Sequence, residues 1–200
     1  MTPKFKRRLS VFLGVTLVIA LLCSVYVRTH PLGFNESFWG HAHCLIGGGQ
    51  SLEAYAKDHQ GQFPFSTNGY GAALVLVNAG WDESLTGPGY DARVFERVRR
   101  TGELAPASEF GRVYVQGLSA TNDPEIALLF DKLPTPGGDH CHFPRRLFAS
   151  PAREVWTIGS GHLVILESDW PAYSQRQVEL LVKAGLPGAQ AESYYSEQPK

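Results

Sequence analysis

An α+β domain carried behind an N-terminal transmembrane helix is the architecture this sequence predicts, on three observations. An uncharged apolar run occupies Leu9–Val27. A helical pattern of apolar residues follows it and precedes every β-rich run. The β-rich runs then come in pairs separated by turn signals, the order expected of a helix packed on a small antiparallel β-sheet. A capped C-terminal helix completes the expected fold.

The apolar run justifies the anchor. Nineteen residues of helix at ~1.5 Å each reach roughly 28 Å, close to the thickness of a bilayer's hydrocarbon core. Lys4, Lys6, Arg7 and Arg8 precede it and only Arg28 and His30 follow closely, so the positive-inside rule leaves the N-terminus cytoplasmic and the body extracytoplasmic. A cleaved signal peptide is the alternative, but it would carry a shorter apolar region and small residues at its cleavage site. "ALLCS" is no lipoprotein site either, because Leu22 stands where a small residue should precede Cys23. The organisation that follows is a basic tail (1–8), a signal anchor (9–27), a juxtamembrane connector (28–34), an exported domain (35–187) and a polar tail (188–200).

Composition fits a single folded domain: 200 residues, 44% hydrophobic and 18% charged. The formal net charge is −1, and the four positive charges of the tail leave the rest of the chain at −5. A mildly acidic body argues against a nucleic-acid surface. Arg99-Arg100 and Arg145-Arg146 are too small to reverse that and read as solvated faces.

Within the body, a helix is expected from near Asn35 or Ser37 to His59, with Leu45, Leu52, Tyr55 and Ala56 on one apolar face. Gly47-Gly48-Gly49 interrupts it, marking either a close approach to a neighbouring sheet or a break. The stretch lacks the Lys and Ser/Thr of a phosphate loop. Gly61 supplies a stop and Phe63-Pro64-Phe65 leaves in extended form. "GYGAALVLVNAGW" reads as a short apolar helix, and the following segment as irregular surface with a helical turn or two around Val94 and Val98. "RVYVQGL" and "EIALLFD" read as strands joined by a turn at Asn122-Asp123-Pro124. Residues 132–151 read as a long loop. "EVWTI" and "HLVILE" flank Gly159-Ser160-Gly161, a strong hairpin signal. Ser174 and Gln177 form an S-x-x-Q capping box before a helix that Gly185 stops and Pro187 cannot continue.

"CLIGGGQSLEAYAKDHQGQFP", Cys44–Pro64, resembles the end of the long helix in pseudopilin-like proteins, the type II secretion protein G type and its relatives. Their pattern Y-A-x-D-x-x-G-x-F-P is met by Tyr55, Ala56, Asp58, Gly61, Phe63 and Pro64. "YVQGL", "DPEIALLFD" and "EVWTIGSGHLVILE" are similar to the paired strands of the same relatives, with Ser160 where their hairpin carries an aspartate. The N-terminus departs from a prepilin: Gly14 lies inside the apolar run and Ile19 stands where a glutamate would. The resemblance implies a helix-on-sheet domain with a binding or assembly role in the envelope, and a shape alone supplies no activity.

The chemistry-bearing residues cluster in "HAHC" (41–44) and "GGDHCHFP" (137–144). Cys23 lies in the apolar run, which leaves Cys44 and Cys141 as one pair in a compartment where disulfides persist. Their bond would close a loop of nearly a hundred residues, worth about 4.7 kcal/mol in the chain-entropy model. Alternatively His41, Cys44, His140 and His142 offer four zinc ligands, although their spacing matches no established signature; His43 would turn away on a helix. The second hypothesis is therefore an exported metal-binding protein or metal-dependent enzyme. A Ser160/His162/Asp169 triad fails the G-x-S-x-G pattern. Glu167 and Asp169 can serve as acid and base or bind calcium, against the simpler reading of a solvated strand end. Trp39, Trp81, Trp156 and Trp170 read as core or interface aromatics. The leading expectation is a non-enzymatic, membrane-anchored domain that binds other envelope proteins.

Overall fold

A computed structural model describes residues 16–18, 22, 45–77, 85–87, 93–102, 106–136, 150–159 and 161–196. The chain divides into two compact units, Met1–Gly40 and His41–Lys200. In the first, residues 16–18 and 22 are helical and exposed. Among the described residues no helix is long and apolar enough to cross a membrane. The rest of the span expected at Leu9–Val27 lies outside them, as do Trp39 and Trp81.

The second unit is α+β. Helices α1 (Leu45–Asp58), α2 (Tyr70–Val75) and α3 (Arg93–Thr101) precede strands β1 (Arg112–Tyr114), β2 (Ala127–Asp131), β3 (Thr135–Pro136), β4 (Pro151–Thr157) and β5 (Gly161–Leu166). Helices α4 (Trp170–Lys183) and α5 (Gly188–Ser196) close the chain. Every strand pairing is antiparallel. Strand β4 carries β5 along one edge and both β2 and β3 along the other, so the sheet is four strands wide: β1, then β2 continued by β3, then β4, then β5. Between Phe130↔Val155 and Thr135↔Ala152 the β2–β3 side advances five residues and β4 only three. Lys132–Pro134 absorb the difference as a bulge.

Pairing register sorts the side chains onto two faces. Leu129, Asp131, Glu154 and Trp156 share one face with Arg112 and Tyr114, and α1 lies across it. Phe130, Arg153 and Val155 share the opposite face, where Trp170 of α4 and Tyr195 of α5 meet Phe130 at ring-centroid distances of 5.5 and 4.9 Å. Covered on both sides, β2 is buried throughout and β4 from Ala152 onward. The glycines of α1 are what bring it so close to the sheet. A Cβ on Gly49 would lie 2.0 Å from Trp156 Cδ2. Of the two expectations for Gly47-Gly48-Gly49, close approach holds, and the helix runs through them unbroken.

Several boundaries differ from the expectation for physical reasons. The helical turn or two expected around Val94 and Val98 is a nine-residue helix, Arg93–Thr101, because Val94, Phe95 and Val98 form a buried stripe that meets Phe110. Gln60, not Gly61, is the first left-handed residue after α1, at φ 56°, and the Gly61 N–H donates to Ala56 O at 2.8 Å. Helix α4 starts at Trp170 with Pro171 in its first turn, where a missing N–H costs nothing. Ser174 therefore sits inside the helix and donates to Pro171 O at 3.0 Å, so no capping box forms. Gly185 ends the helix at φ 100°, as expected. Residues 188–196, expected as polar tail, are helical and bury Ala191 and Tyr194.

Candidate functional site

The first residues to place are those the sequence singled out. Cys44, Cys141, His41, His43, His140, His142 and Ser160 lie outside the described residues. Among the described residues no three His, Cys, Asp or Glu side chains gather to hold a metal ion.

Where α1 begins, the sheet presents an ionic cluster that sequence reasoning missed. Arg112 donates from Nε to Asp131 Oδ1 at 3.0 Å, and its Nη2 lies 3.7 Å from Glu154 Oε2. All three side chains are buried. Asp131 Oδ2 accepts the Glu154 N–H at 3.2 Å, and Glu154 Oε2 accepts the Leu45 N–H at 3.4 Å. A carboxylate at the first turn of a helix faces the positive end of its dipole, so Glu154 fastens α1 to β4 electrostatically. His162 Nε2 stands 3.3 Å from Glu154 Oε1, close enough for an ion pair but out of line for a hydrogen bond. The histidine thus faces Glu154, two residues along β4 from its cross-strand partner Trp156.

On the other face Arg153 binds Glu167 with two parallel hydrogen bonds of 2.9 Å, donates to Lys132 O, and lies 4.5 Å from the centre of the Trp170 ring. This engages both oxygens of Glu167 with one guanidinium. Asp169 caps the start of α4 by position and accepts from Ser168 Oγ at 3.2 Å. Gln177, nearly fully buried, accepts the Ala127 N–H at 2.8 Å and donates to Glu125 O at 2.9 Å. Tyr173 and Tyr195 hold buried hydroxyls without a hydrogen-bond partner. Burial pushes both phenols above their ordinary pKa, with Glu125 reinforcing the shift at Tyr173 and the neighbouring tyrosines at Tyr195.

The open surface lies at the far end of α1, on the Y-A-x-D-x-x-G-x-F-P stretch. A shallow groove of about 470 Å³ runs past Tyr55, Asp58, His59, Gln62 and Phe65. The Tyr55 and His59 rings stack at 3.7 Å, and His59 Nδ1 donates to Tyr55 O at 2.7 Å. Phe65 exposes more than half its surface. Across Phe63 lies a smaller hollow of about 190 Å³ bounded by Ala56, Lys57, Ala120 and Ile158. Aromatic faces, amides and one carboxylate in an open groove suit recognition of another surface. No family model, curated protein or solved structure matches the chain.

Proposed function

We propose that this chain is a single-pass, membrane-anchored exported domain of pseudopilin-like shape, which binds other envelope proteins or supports their assembly rather than catalysing a reaction. The observation that carries this is the division of labour along α1. Its first half is fixed to the sheet by the Leu45 N–H on Glu154 and by Gly49 against Trp156, while its last turn and Tyr55–Phe65 form an exposed aromatic groove. The described ionisable groups nearest the core pair with one another within the sheet, Arg112 with Asp131 and Glu154, and Arg153 with Glu167. Leu17, Val18 and Leu22 expose apolar side chains on helical backbone, as a membrane span presents them to lipid.

In the same reading Cys44 is paired with Cys141. Cys44 precedes Leu45, which bonds Glu154 of β4, and Cys141 comes five residues after Pro136, the last described residue before it, which pairs with Pro151 of the same strand. Both flanks thus converge on β4. Two experiments test the function. Reporter fusions after residue 35 should be active only outside the cytoplasm. A photo-crosslinking amino acid at Phe65, in native membranes, should yield adducts with other envelope proteins that the same group at exposed Glu179 does not. Cytoplasmic reporter activity, or equal labelling from both positions, sinks the proposal.

A further inference from the structure

The sheet ends differently at its two edges. Strand β1 is three residues long, wholly buried, and packed against α2. Strand β5 has six residues, pairs with β4 without a bulge, and contains no Lys, Arg, Asp, Glu or Pro. Edge strands are ordinarily blunted by shortness, charge, proline, a bulge or a cover, because their unpaired N–H and C=O groups recruit any extended chain. Strand β1 uses two of these devices and β5 none of those carried by sequence.

Apart from His162, which faces Glu154 on the α1 side, β5 presents apolar side chains. Val164 and Leu166 point to the α1 side and are 46% and 44% exposed. On the other side α4 lies against β5. One flank of α4 carries Tyr173, whose neighbour Trp170 meets Tyr195 of α5, and the opposite flank carries Val178 and the exposed Val182. An occupant of this edge must be extended, uncharged and apolar on both faces.

We infer that the occupant is β5 of a second copy of this chain, paired antiparallel about a two-fold axis. The strand meets its own requirements: no like charges oppose one another when "GHLVIL" runs against itself, and Val164 and Leu166 of each copy cover those of the other. The arrangement closes at two copies, since it consumes the open edge of each sheet and leaves only the covered β1 edges. It stands on the sheet alone, whether or not the N-terminal segment is an anchor.

Cysteines placed singly at 163, 164, 165 and 166 in the full chain, in detergent micelles, test it. Mixing ¹⁴N- and ¹⁵N-labelled protein before mild oxidation identifies β5–β5 linked peptides that contain one strand of each. The expected result is a maximum of such peptides at one position with a decline on either side, and none from Glu179→Cys. Leu166→Lys, at a half-exposed position opposite Ala152, should halve the protein mass measured by light scattering while the variant still unfolds cooperatively, at a melting temperature that no longer depends on protein concentration. Absence of β5–β5 peptides at all four positions overturns the inference, as would be the case if a different protein held the edge. Linking at Glu179 as strong as in β5, or an unchanged mass for Leu166→Lys, overturns it as well.

Discussion

The two faces of the sheet are held by different physics. Under α1 the contacts are ionic and steric: Arg112 between Asp131 and Glu154, and a glycine pressed on Trp156. Under α4 and α5 the helices themselves meet the sheet through aromatic contacts, with Phe130 stacked on Tyr195 and the guanidinium of Arg153 over Trp170, while its ion pair with Glu167 stays within the sheet. Aromatic burial is forgiving of small displacements, whereas a buried charge without its partner is not. The α1 face is therefore the one that fixes a unique position for its helix, and the α4/α5 face the one that tolerates adjustment.

The largest test of that contrast is Arg112→Met. It leaves two buried carboxylates without their shared cation and should cost about 3–5 kcal/mol, read from the urea midpoint. A loss below about 1 kcal/mol would mean the ionic face does not hold α1. Next, Gly49→Ala should cost about 3 kcal/mol, the upper end for overpacking, because the new methyl meets an indole with no free end to swing. Combining it with Trp156→Leu should cost less than the two singles added, and simple additivity would deny the contact.

On the opposite face Gln177→Ala should cost about 1–3 kcal/mol, since it strands the Ala127 N–H and Glu125 O beneath α4. Ser174→Ala should stay within about 0.5 kcal/mol, and the reverse order would reinstate the capping box.

The smallest effect at neutral pH is expected of Tyr195→Phe, which removes an unpartnered hydroxyl. Its signature is alkaline. The native state keeps the phenol proton above the ordinary pKa of about 10, where the unfolded chain releases it. Stability present below pH ~10 is thus lost as pH rises beyond it, and Tyr195→Phe should flatten that decline. Tyr114→Phe should flatten it too, but at a neutral-pH cost, because Tyr114 donates to Pro64 O at 2.7 Å. Equal neutral-pH melting temperatures for both variants would erase the distinction between the faces.

What was legible in the sequence follows the range of the interactions. The β4–β5 hairpin was readable because a Gly-Ser-Gly turn and its β-rich flanks are neighbours, and the Gly185 stop because it is local. Gln177 was misread for the converse reason: a capping box four residues long looks complete, while its real partners lie about 50 residues upstream. Helix α5 read as tail because its polar sequence gains a buried side only when Tyr195 finds Phe130. Arg112, Asp131 and Glu154 each read as ordinary charges, and only strand register gathers them. The groove at Tyr55–Phe65 was marked by its motif, though not the Tyr55–His59 stack within it.

The bond between Leu45 and Glu154 also sets a timetable. Its partners are 109 residues apart. At synthesis rates of roughly 5–20 residues per second, α1 waits on the order of 5–20 s for the strand that seats it. Throughout that interval the glycine-rich helix has no β4 to dock on. The arrival of β4 thus lets the α1 face close first, while the α4/α5 face waits for the two helices that follow it in the chain.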